Sequence, residues 1–168
     1  EEPFRAVGNL PYNAGTPILR RVIADPQCRG AVFMLQKEVA DRLTAAPGDE
    51  DYGFLTVAVR AYADAKQILQ LGPGSFFPRP KVRSAVVALT PVERPLATSP
   101  AEVIAVASAG FRMRRKKLVN SLTGYLERER PAILAAIAAS GIDENARAEE
   151  LGLEEFDRLA VNLSKTEG

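Results

Sequence analysis

Asn9, Leu10, Pro11 and Tyr12 follow one another directly after a short apolar stretch, in the run VGNLPYNAGTP at residues 7–17. Asn9 offers a side-chain carbonyl as an acceptor, and the backbone carbonyl of Leu10 offers a second. Pro11 has a fixed φ and biases Leu10 toward an extended conformation, so that carbonyl can be held facing one way. Tyr12 adds a flat face. Two acceptors beside an aromatic plate suit a planar ligand with an exocyclic amino group, and adenine N6 is such a group. Its lone pair is delocalised into the ring. Two acceptors favour a pyramidal nitrogen whose lone pair points at an electrophile. For a sulfonium methyl held in line, positioning and electrostatics supply most of the catalysis. The nitrogen turns acidic as it is alkylated, so no dedicated base is needed. Taken alone, the four residues also suit an ordinary strand-to-helix turn.

The composition bounds the chemistry further. The 168 residues are 46% apolar and 26% charged, enough for one large domain or two small ones. There is no histidine, which removes the commonest metal ligand and the commonest general base near neutral pH. With a single cysteine, Cys28, neither a zinc site nor a disulfide framework is expected. A lone, buried thiol fits a reducing, cytoplasmic setting. No apolar run approaches the roughly 18 residues of a membrane span, and EEPFRAVGNL lacks the pattern of a signal peptide. Net charge is only +1, but it is unevenly spread. FRMRRKK (111–117) concentrates Arg112, Arg114, Arg115, Lys116 and Lys117, whereas the tail from Glu127 onward is rich in acids. A local basic surface of this kind suits a polyanion.

The elements that must position these residues alternate. Phe4–Val7 reads as a short buried strand ending at Gly8. TPILRRVIAD reads as a helix, with Thr16 as N-cap and Pro17 at its first position. AVFMLQ (31–36) is a buried strand, and KEVADRLTAA a helix that Lys37 and Glu38 open. FLTVAVRAYAD is expected to be helical. Strands around 67–71 and 82–90, joined by the loop SFFPRPKV, are expected to form an antiparallel pair at a sheet edge. Strand–helix alternation implies an α/β sheet with crossovers. PVERPLATSP (91–100) reads as a linker. Ser99 and Glu102 have the spacing of a capping box. Helices are expected over 100–113, 115–126, 131–140 (ended by Gly141) and 153–164. Leu151, Leu153, Phe156 and Leu159 serve as apolar anchors.

Six stretches in one order, GNLPYNAGTPIL, FMLQKEVADRL, DYGFLTV, FFPRPKVRSAVVAL, GFRMRRKKLVNSL and RAEELGLEEFDRL, resemble the small-subunit ribosomal RNA adenine N6,N6-dimethyltransferases of the KsgA/RsmA type. The resemblance covers nearly the whole chain. It implies an α/β fold: the C-terminal part of a Rossmann-like methyltransferase domain over 1–91, followed by a small all-α, RNA-contacting domain over 92–168. It implies S-adenosylmethionine as methyl donor, and two adjacent adenosines near the 3′ end of small-subunit rRNA as the target. Immature small ribosomal subunits are the implied partner, with neither metal nor membrane; a monomer is the default. Asn9, Leu10, Pro11 and Tyr12 match the family's Asn-Leu-Pro-Tyr, and Asn9 would also touch the methionine end of the cofactor. Phe76 matches the family's loop aromatic and would close on the other face of a flipped adenine, while Phe77 is expected to pack.

Arg112, Arg114, Arg115, Lys116 and Lys117 would contact phosphate, with Asn120 and Ser121 one turn on. Arg79, Lys81 and Arg83 flank the Phe76 loop and would steer RNA toward it; a structural role for Lys81 stays open. The family's Gly-rich turn and its acidic cofactor ligands have no counterpart in these residues. The chain is therefore expected to be a fragment, inactive by itself, with most of the cofactor site upstream. Two alternatives remain: a large-subunit rRNA adenine N6-methyltransferase, and a non-catalytic RNA-binding or ribosome-assembly factor.

Overall fold

Four strands lie in the order β1-β2-β4-β3. They are β1 (Phe4–Asn9), β2 (Cys28–Gln36), β3 (Ala63–Leu71) and β4 (Ser84–Pro91). The computed structural model describes residues 2–94, 96–113, 115–126 and 128–165. β1 pairs parallel with β2, whereas β4 runs antiparallel to both β2 and β3. The expected antiparallel pair is therefore present. Of this pair only β3 lies at an edge, because β4 is enclosed between β2 and β3. By internal contacts the chain divides into two units. One is Glu1–Ala45 with Tyr62–Glu93; the other is Ala46–Ala61 with Arg94–Gly168.

In the sheet unit, α1 (Gly15–Ile23) connects β1 to β2 and buries Leu19 and Ile23. α2 (Lys37–Thr44) follows β2 directly. The core includes Phe33, Leu35, Ala85, Val87 and Leu89, and Cys28 is buried as expected. β1 is longer than expected and is not buried: Phe4 is exposed and Val7 is 82% exposed. As an edge strand it has a neighbour on one side only. The start of α1 also differs. Its cap position is Ala14, with no side-chain cap, and Thr16 lies inside the first turn. The backbone supplies what a capping side chain would have done. Ala14 N–H closes a turn onto the Pro11 carbonyl at 3.1 Å, and the helix grows from that turn. Gly15 permits this, since a Cβ there would stand 3.2 Å from the Leu10 Cβ.

The helical unit holds α3 (Phe54–Arg60), α4 (Pro100–Gly110), α5 (Leu118–Tyr125), α6 (Arg130–Ala139) and α7 (Leu153–Ser164). Its α3 segment, 46–61, precedes the expected boundary at 91 in sequence but packs with the later helices. Val57, Val103, Leu122, Ile137, Phe156 and Leu159 are fully enclosed. The Ser99–Glu102 capping box forms as its spacing predicts. Gly141, at φ +70°, ends α6, and Ile142 N–H reaches back to the Ile137 carbonyl at 3.2 Å. The stretch read as a linker is anchored. Asp157 on α7, buried, accepts from the N–H groups of Ala97 (2.8 Å) and Thr98 (3.0 Å).

Candidate functional site

The carboxyl ends of β1, β2 and β3 and the amino end of β4 meet at one edge of the sheet, as the register pairs Asn9 with Met34, Gln36 with Ser84, and Leu71 with Ser84 show. Ligands of open α/β sheets collect at that edge. Two loops leave it side by side: 10–14, which follows β1, and 72–83, which joins β3 to β4. Between them is a cavity of about 480 Å³ lined by Asn9, Leu10, Pro11, Tyr12 and Phe76, with Met34 from β2 and Phe77, Pro78 and Pro80 from the longer loop. All five pocket residues expected from the sequence thus line one space. A cavity of this volume is the size of a small-molecule site.

Each wall has a local cause. Leu10 N–H donates to the Met34 carbonyl at 3.1 Å, which carries the strand pairing one residue beyond β1. The Leu10 side chain is buried. Among the described residues, no hydrogen bond is made to the Leu10 carbonyl or to the Asn9 side chain, which is exposed. Neither acceptor is therefore committed to a partner among the described residues. Tyr12 is half exposed, and its hydroxyl lies 3.3 Å from the hydroxyl of the buried Ser84. Phe76 is half-buried on the opposite loop. Phe77 corrects the sequence expectation: it is fully exposed rather than packed. The proline-rich backbone around it turns its side chain away from the sheet core.

Lys37 and Glu38 do open α2. Lys37 donates to Asp41 one turn on at 2.6 Å, and Gln67 of β3 donates to the other Asp41 oxygen at 2.8 Å. Burial pushes the Asp41 carboxyl up, but the bonds from Lys37 and Gln67 and the Lys37 charge outweigh it and hold it below the ordinary range. This cluster braces α2 on β3.

The cations divide between the units. Arg79, Lys81 and Arg83 are exposed on the loop that carries Phe76. In the helical unit, Arg112, Arg115, Lys116 and Lys117 are exposed, and Arg114 lies outside the described residues. Arg112 places its guanidinium 4.2 Å from the centre of the Tyr125 ring, and Lys117 donates to Asn145. Asn120 accepts from Arg130 at 2.7 Å, while Ser121 is fully buried and cannot reach a phosphate.

A family model for ribosomal RNA adenine dimethylases matches residues 1–165. The chain belongs to this family. Among curated relatives, ribosomal RNA small subunit methyltransferase A of Alkaliphilus oremlandii is 40% identical, over 96% of this chain and 58% of the relative. Its counterpart in Methylococcus capsulatus is 44% identical over 97% of this chain and 62% of the relative. The chain thus spans about three-fifths of the length of such family members. A crystal structure of a dimethyladenosine transferase from Plasmodium falciparum superposes with a TM-score of 0.84 at 24% identity, covering 99% of this chain and 69% of that one. The 23S rRNA methyltransferase ErmE superposes at 0.68 with 25% identity, over 97% of this chain and 66% of that one. The fold is accordingly part of the Rossmann-like methyltransferase fold of the family, together with a helical unit.

The sequence left several contributors to the site unnoticed. Met34 and Pro80 line the cavity, and Ser84 backs Tyr12. Ser84 carries one faint signal, a polar residue directly before the apolar run Ala85–Leu89.

Proposed function

We propose that this chain is the base-receiving part of an enzyme that transfers methyl groups to the N6 of adenosines in small-subunit ribosomal RNA. The observation that carries the proposal is the convergence of Asn9, Leu10, Tyr12 and Phe76 on one cavity. The names of the curated relatives favour the small subunit over the large.

A flipped adenine placed there stacks against Tyr12 and Phe76, which offsets the cost of leaving its own stack by about 1–3 kcal/mol per base. Its amino group donates one hydrogen to the Asn9 carbonyl and one to the Leu10 carbonyl. Pro11 and the Leu10–Met34 backbone bond keep the Leu10 carbonyl from turning away. S-adenosylmethionine, when bound, would supply a sulfonium methyl for the N6 lone pair that Asn9 and Leu10 orient, with the N6 proton leaving to water. Asn9 fits the methionine end of that cofactor, since its exposed amide stands free at the carboxyl end of a parallel strand. The proline-rich and aromatic wall keeps water from the stacked face of the base.

Exposed Arg79, Lys81 and Arg83 on the pocket loop, and Arg112, Arg115, Lys116 and Lys117 on the helical unit, supply phosphate contacts. On this reading the partner is the immature small subunit and the setting is the cytoplasm. The test is the full-length protein, immature small subunits and labelled S-adenosylmethionine. Asn9→Ala and Tyr12→Ala should each abolish methyl transfer while leaving subunit binding intact. Loss of binding in both would make the loop architectural and overturn the proposal.

A further inference from the structure

Ser84 is 1% exposed, and its hydroxyl meets that of Tyr12 at 3.3 Å. Its backbone is held on both sides, paired with Gln36 on β2 and with Leu71 on β3. The Leu71–Ser84 pair also closes the base of the loop 72–83, which carries Phe76. One buried hydroxyl therefore ties the loop of the first aromatic to the root of the loop that bears the second. Tyr12 is 50% exposed, so packing alone leaves its side chain room to swing about the Cα–Cβ bond. A hydroxyl pair of this length adds little stability, but it biases where the outer end of the ring sits.

We propose that Ser84 is a positioning residue that anchors the outer end of the Tyr12 side chain, and so the place of its ring, and that the second methyl transfer to each adenine depends on it more than the first. The proposal rests on the adenine reading of the pocket. An unmodified N6 carries two hydrogens, and both acceptors, Asn9 and Leu10, orient it. After one methylation a single N–H remains, so only one acceptor is engaged. The stack between Tyr12 and Phe76 then carries more of the orientation. The second transfer is the same exchange at that nitrogen: an N–C bond forms, a C–S bond breaks with its electrons leaving on sulfur, and the last N6 proton goes to water. A plate free to rock penalises this step most, because little else holds the base in line.

The experiment uses the full-length protein with immature small subunits and labelled S-adenosylmethionine. Products are separated into monomethyl- and dimethyladenosine. Ser84→Ala and Tyr12→Phe remove the same bond from its two ends. Each should lower turnover about tenfold, raise the monomethyl fraction severalfold, and leave subunit binding unchanged. The double variant should be no worse than either single one, and Ser84→Thr should restore dimethylation. Tyr12→Phe leaves the buried position untouched, so the test stands even if a Ser84 variant folds poorly. An unchanged product ratio in Tyr12→Phe, or additive losses in the double variant, would overturn the role of Ser84. Asn9→Ala separates the two levels. Full methylation by Asn9→Ala would sink the adenine reading itself. Its loss, with the ratio unmoved in the other variants, sinks only the positioning role.

Discussion

Tyr52 donates its hydroxyl to the Leu151 carbonyl at 2.6 Å, joining two buried segments of the helical unit that lie 99 residues apart in sequence. Its ring also meets Phe111 edge-on at 6.0 Å, and Phe111 meets Phe156 at 5.8 Å. This contact fastens the 46–61 segment to the helices that follow much later in the chain.

Tyr52→Phe keeps the ring and leaves the Leu151 carbonyl buried without its donor. The expected cost is about 1–3 kcal/mol of stability, measurable by urea unfolding. Burial pushes the Tyr52 phenol up to about 12, helped by Glu155 and Glu154 and opposed by Arg60. A folded value above the unfolded 10.0 means that the contribution is intact below pH 10. It is lost as pH climbs from there toward about 12. The gap between wild type and Tyr52→Phe should therefore hold constant at neutral pH and close in that alkaline window.

Glu102 titrates in the opposite sense. Hydrogen bonds from Thr98 and Ser99 pull its carboxyl down to about 2, from an ordinary 4.5. A depressed value stabilises above the unfolded pKa and is lost as pH falls through the folded one. Glu102→Gln should lower Tm at neutral pH. That difference should vanish as the pH approaches about 2.

Phe76 and Phe77 are adjacent on the pocket wall but differ in exposure, half-buried against fully exposed. If Phe76 is the stacking partner of the base, Phe76→Ala should lower kcat/KM by about ten- to a hundredfold, the equivalent of one lost stack. Phe77→Ala should change it only a few-fold. Steady-state methylation of immature subunits measures both, and a reversed order would assign the second plate to Phe77.

Arg115 and Lys116 are exposed on the helical unit. Replacing both with Glu should weaken RNA binding and make the plot of log affinity against log salt shallower by about one unit per lost phosphate contact. Titrations at several salt concentrations read this directly. Binding that keeps its slope would place the RNA elsewhere.

Much of the site is legible in the chain because its chemistry is local. Asn9, Leu10, Pro11 and Tyr12 are consecutive, so the cavity wall they form is marked out before any fold is known. The capping box at Ser99 and Glu102 and the stop at Gly141 are local too, and each forms where its residue types require. Where local signals had rivals, they misled. Thr16 is a good N-cap, yet the turn closed by Pro11 and Ala14 starts the helix earlier. Phe77 is apolar, yet its place on a proline-rich loop keeps it in solvent.

By itself the sequence determined the alternation of strands and helices and the family. Those follow from residue type, periodicity and short spacing. The tertiary structure alone decided which distant residues complete the site. Ser84 reaches Tyr12 across 72 residues because β4 returns antiparallel beside β2, bringing its first residue to the edge where β1 ends. Strand pairing sets that register, and strand pairing depends on long-range packing that no short stretch of sequence contains.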